Sequence, residues 1–100
     1  MRSCYVDILG TQVLVEVDAE WGKKNDLHGE WEWPAGEGPT ITLGSMDYRT
    51  LLHECLHAIS DMLHLGLKER QVRGLEVGIG ELLRHNRELW ESLGPEEERP

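Results

Sequence analysis

His53, Glu54 and His57 stand in the order His-Glu-x-x-His. On an α-helix, side chains four positions apart lie one turn apart on one face, so the two imidazoles can converge on a single ion. Zinc suits such a pair, binding imidazole nitrogen at about 2.0–2.1 Å. Glu54 follows His53 directly and flanks that face. It is better placed to hold a water on the metal than to ligate the metal itself. These residue types at this spacing are what metal-assisted hydrolysis requires.

Leu51, Leu52, Leu56, Ile59 and Leu63 recur around the motif at helical spacing and would bury the opposite face. A plainer alternative is a core helix that merely carries two histidines. A buried carboxylate beside two imidazoles would then cost several kcal/mol with nothing to offset it, which favours a metal.

A catalytic zinc takes three protein ligands and leaves a position open. Asp61, His64, Glu69, Glu76 and Glu81 are the candidates that follow His57. Asp61, one turn beyond His57, sits too far along a straight helix to join both histidines and suits a supporting role. His64 would need a helix break that no Gly or Pro between Ala58 and Leu63 supplies. Cys55, two residues from each histidine, points off their face. His28 and His85 are remote in the chain. Glu76 is favoured, because a short link at Leu65-Gly66-Leu67 makes the following helix run back beside the first. Glu76 then falls among Val72, Leu75 and Ile79 at about the depth of the histidines. Glu69 opens that second helix, where the helix dipole already accounts for an acid, and Glu81 lies further along.

The elements that must position these groups follow from pattern. Cys4 to Leu9 and Gln12 to Val17 read as a hairpin turning at Gly10-Thr11, with Val13, Val15 and Val17 on its buried face. A polar loop runs from Asp18 to Gly29, anchored by Trp21. Glu30 to Trp33 is a short strand with both Trp on one face, and Thr40 to Leu43 is another. Together they make a sheet of three or four strands, mostly antiparallel. Ser45 is the expected N-cap of the motif helix, about Met46 to His64, with Asp47 in its first turn. A second helix runs from Lys68 to about His85, where Gly74, Gly78 and Gly80 call for close approach of another backbone to offset their helical cost. Arg87 to Leu93 forms a short third helix. The class is α+β, a single domain over 1–94 with a disordered acidic tail, 95–100.

The formal charge of −9 argues against nucleic acid or an anionic membrane as partner, since both call for a basic face. Cys4 and Cys55 form no disulfide framework and read as reduced thiols. With no signal peptide and no transmembrane span in the sequence, a cytoplasmic protein is expected.

His53-Glu54-x-x-His57 followed by Glu76 resembles the gluzincin metallopeptidase signature, and the element order is similar to the minimal zincins of phages and mobile elements. The resemblance implies a zincin-like fold and a peptidase acting on a peptide or protein. It implies Zn2+ held by His53, His57 and Glu76, with Glu54 as general base. It also implies that the strand before the motif helix, Thr40 to Leu43, pairs with an extended substrate. The chain departs from larger gluzincins in lacking a second subdomain with an oxyanion-stabilising Tyr or His. It also has Gly80 where an acid often follows the third ligand. Tyr48, one turn before His53, or Tyr5 is the candidate electrophile. The rival expectation is a regulatory module that a structural metal holds together and that binds a partner protein with little catalysis. Its metal could not be removed without unfolding the domain.

Overall fold

The computed structural model describes residues 2–25 and 28–93. The expected acidic tail lies outside them. The chain is α+β: four strands form one sheet, and the motif helix and two further helices follow it.

β1 (Arg2–Ile8) and β2 (Thr11–Val17) pair antiparallel, with Ile8 opposite Thr11. The turn is therefore Leu9-Gly10, one residue earlier than expected. Both residues have positive φ, 52° and 82°, as a type I′ hairpin turn demands. Asp7 supports it by accepting a 2.9 Å hydrogen bond from the Gly10 amide.

The segment after β2 is not wholly a loop. α1 (Ala19–Asn25) is capped by Asp18, whose Oδ1 accepts from the amides of Glu20 and Trp21 at 3.1 and 3.2 Å. β3 (Gly29–Glu32) then pairs antiparallel with β4 (Thr40–Leu43), and β4 runs parallel to β2. The strand order β1-β2-β4-β3 encloses β4 between two partners. The expectation that β4 could take up a substrate strand fails here, because both of its edges are already hydrogen-bonded. β3 is the free edge on that side. Trp33 lies beyond β3 and is 52% exposed, whereas Trp31 packs against the core. Their rings meet edge to face at 6.2 Å.

α2 (Tyr48–Met62) lies across one face of the sheet. Asp47, not Ser45, is its N-cap, accepting from the Arg49 amide at 3.0 Å. The core joins Ile8, Val13, Val15, Ile41 and Leu43 of the sheet to Ala58 of α2, flanked by Leu51, Cys55, Ile59 and Met62. Leu56 is also buried, but Leu63, expected on the buried face, is largely exposed. α2 ends where His64 turns left-handed at φ 54°. The Leu65 amide donates to the Ser60 carbonyl at 2.8 Å and the His64 amide to the Asp61 carbonyl at 3.3 Å, the bonding of a Schellman cap. Ser60 Oγ then accepts from the Leu67 amide at 2.9 Å.

α3 (Glu69–His85) returns along α2, and α4 (Arg87–Ser92) follows. Val72 and Gly80 are the buried residues of α3. A Cβ at Gly80 would meet the side chains of Leu52 and Tyr48 at ordinary contact distances of 3.7 and 3.8 Å, whereas nothing lies within 4 Å of a Cβ at Gly74 or Gly78. Close backbone approach therefore explains none of the three glycines. No helix among the described residues is long and apolar enough to cross a membrane.

Candidate metal centre

α2 turns three faces to its surroundings, and one carries the motif. With Leu51, Cys55 and Ala58 committed to the sheet, His53, Glu54, His57 and Asp61 line a cavity of about 950 Å³. Its other walls are β3, through Gly29, Glu30 and Trp31, and α3, through Glu69, Arg73 and Glu76.

The Nε2 atoms of His53 and His57 stand 3.2 Å apart. The carboxylate of Glu69 meets both, Oε1 at 2.7 Å from His53 Nε2 and Oε2 at 2.9 Å from His57 Nε2. These three residues could hold a metal ion. Tetrahedral zinc with bonds of about 2.0–2.1 Å separates neighbouring ligand atoms by roughly 3.3 Å. One ligand atom from each of the three residues lies within 4.8 Å of the other two, close enough for the side chains to close on one ion, so the donor set fits it. Glu69 is the more exposed member, with half its side chain accessible.

Glu76, the expected third ligand, is brought to the site but to the other side of His53. Its Oε1 accepts from His53 Nδ1 at 2.8 Å, and its Oε2 accepts from Arg49 Nε at 2.9 Å and Nη2 at 2.8 Å. The geometry thus puts Glu69 where the sequence placed Glu76. The reason is depth along the helices: Glu76 lies seven residues, roughly 10 Å, beyond Glu69, while His53 lies only about 6 Å from His57 along α2. Glu76 overshoots the facing nitrogens and reaches the rear one. A proton on Nδ1 directed at Glu76 would leave His53 Nε2 with the lone pair that ligates a metal.

Glu54 is 7% exposed. Burial pushes its pKa up, as do the nearby carboxylates of Glu69 and Glu30, against the opposing pull of His53 and His57. For Glu69, burial acts upward but the two imidazoles outweigh it, and its pKa is lowered. Cys55 is raised by burial and then by Glu54, which keeps its thiol protonated and inert.

Asp61 lines the cavity and accepts a 2.6 Å hydrogen bond from the Trp31 indole, tying α2 to β3. Tyr48 is not part of the cavity wall. Five residues before His53, it is turned about 140° around the helix and lies beside Gly80 of α3. Tyr5 borders a separate cavity against Gln12, Glu16 and Thr42. His64 occupies the helix cap, and Glu81 pairs with His85 at 2.6 Å. His28, remote in sequence, does line the same cavity as His53 and His57. Its position follows from the turn into β3, where its carbonyl accepts from the Gly44 amide at 2.8 Å, and no sequence signal points to it. Comparison with protein-family models, with characterised proteins and with solved structures finds no match to this chain.

Proposed function

We propose that this chain is a zinc-dependent peptidase with His53, His57 and Glu69 as metal ligands and Glu54 as general base. The observation that carries the reading is the meeting of three ligand atoms from two helices at an open cavity, with a buried carboxylate beside them. Zinc bound there would supply Lewis acidity to a water and to a substrate carbonyl. Glu54, its pKa raised by burial, takes the proton of the attacking water and returns it to the leaving amine. Glu76, itself held by Arg49, holds the ring of His53, and the Asp61–Trp31 hydrogen bond holds α2 to β3 in the cavity wall.

The free edge of β3 borders the cavity, so an extended peptide can add to the sheet there by main-chain hydrogen bonds. Glu30, Asp47, Glu54, Asp61, Glu69 and Glu76 line the same cavity against Arg49 and Arg73, which favours a basic peptide.

The test is hydrolysis of a peptide library by zinc-loaded protein and by Glu54→Gln. Both should bind zinc, and only the wild type should cleave. Because the sheet and α2 form a core of their own, chelation should remove the metal and leave a folded domain. Cleavage by Glu54→Gln, or unfolding on chelation, would overturn the reading, the latter in favour of a structural metal and a binding module.

A further inference from the structure

Gly29 opens β3 opposite Leu43 of β4, and its backbone is not in the left-handed region. Conformation alone therefore permits any residue there, and a strand would gain from a side chain. Space is tight enough that a neighbour would have to give by a few tenths of an ångström. A Cβ at Gly29 would stand 3.0 Å from Glu54 Cγ, 3.0 Å from Thr50 Cγ2 and 3.2 Å from Glu54 Oε2. By contrast, a Cβ at Gly38 would meet nothing within 4 Å.

We infer that Gly29 is a positioning residue for Glu54: its missing side chain is the slot that lets the Glu54 carboxylate stand between α2 and β3. This rests on the peptidase reading for its catalytic consequence, but not for its geometry. Of the two groups a Cβ would strike, Thr50 is the stiffer, being β-branched within a helix. Its hydroxyl also reaches Asp47 Oδ2 at 3.4 Å. Glu54 has the freer side chain, so it is the group that yields. It is also too enclosed to yield without leaving its place. His53, His57 and Glu69 do not touch the slot and keep their arrangement.

The test is Gly29→Ala, beside Gly38→Ala as a control and Gly29→Ala/Thr50→Ser as a rescue. Thr50→Ser deletes the interfering methyl and keeps the hydroxyl. In Gly29→Ala the kcat should fall about ten-fold, short of the roughly hundred-fold loss that a full ångström of misplacement costs. Zinc affinity should stay within a factor of about three, since no ligand or ligand support is touched. The double variant should recover part of the kcat, and Gly38→Ala should match the wild type. A crystal structure of Gly29→Ala should show the Glu54 carboxylate displaced by a few tenths of an ångström or more, with the two imidazoles unmoved. An unmoved Glu54, or a loss of zinc affinity that accompanies the loss of rate, would overturn the inference. If the wild type cleaves nothing, the peptidase reading falls, and the position of Glu54 in the variant still decides the role of Gly29.

Discussion

Glu69 and Glu76 both touch His53, yet removing each should have a different effect, and the difference can be worked from their contacts. Glu69 meets the Nε2 atoms of both histidines, so under the proposed assignment Glu69→Ala should delete a ligand. Structural zinc binding of about 10–16 kcal/mol, spread over four ligands, gives about 2.5–4 kcal/mol for each, or about 10²–10³-fold in affinity. Glu76 meets only Nδ1 of His53 and is itself held by Arg49. Glu76→Ala removes the group that orients the His53 ring and should cost about 10–100-fold in metal affinity. Competition titration against a chromophoric chelator reads both values on one scale. Cobalt substitution adds a second readout, because the visible spectrum should change in Glu69→Ala and persist in Glu76→Ala. Arg49→Met, acting one contact further out, should weaken binding less than Glu76→Ala does. A greater loss from Glu76→Ala than from Glu69→Ala, with the cobalt spectrum altered in the former, would refute the assignment and restore Glu76 as the ligand.

Glu54→Gln should stabilise the chelated protein at neutral pH. Burial raises the folded-state pKa of Glu54, so its ionised form costs stability above that pKa. The advantage of Gln should shrink as pH falls through the raised folded value toward the unfolded one, as urea titrations at several pH values would read. An advantage that grew on acidification would contradict the shift. Leu9→Asn should gain about 1 kcal/mol, since Leu9 is 59% exposed and held at positive φ where Asn-Gly is the preferred pair. His64→Gly should gain about 0.5–1 kcal/mol for the same backbone reason at the helix cap. Gly78→Ala should gain about 1 kcal/mol, because open space surrounds the position. In a domain of this size each kcal/mol appears as about 4–8 °C in Tm, and a lowered Tm in any of the three would count against the local geometry described.

The motif helix, the hairpin and the returning helix are legible in the sequence because each repeats one apolar period over several turns or residue pairs. α1 is not, since its seven residues are too few to establish a period and include Gly22. Its one signal is Asp18 before Glu20, with Lys23 and Lys24 at the far end, a cap and a charge order that favour a helix. The parallel pairing of β2 with β4 is hidden because it depends on α1 and β3 intervening. At the site, the spacing of His53 and His57 fixes their common face, with Glu54 flanking it. The choice between Glu69 and Glu76 is harder, because residues seven apart share a helical face and differ only in depth. That depth is set by the Schellman cap at His64 and the extended link to Lys68, which no periodicity records. The dipole argument that set Glu69 aside is sound, but one acid can serve both a helix terminus and a metal. Tyr48 fails for the opposite reason: it is near in sequence and on the wrong side of the helix.

The central claim is a metal held between α2 and the start of α3. Diffraction on zinc-soaked crystals at energies above and below the zinc absorption edge tests it most directly. The account predicts one anomalous peak about 2.0–2.2 Å from His53 Nε2, His57 Nε2 and a carboxylate oxygen of Glu69. Glu76 should remain on His53 Nδ1. A peak bonded to Glu76 in place of Glu69, or no peak among these residues in protein that has taken up zinc, would contradict it.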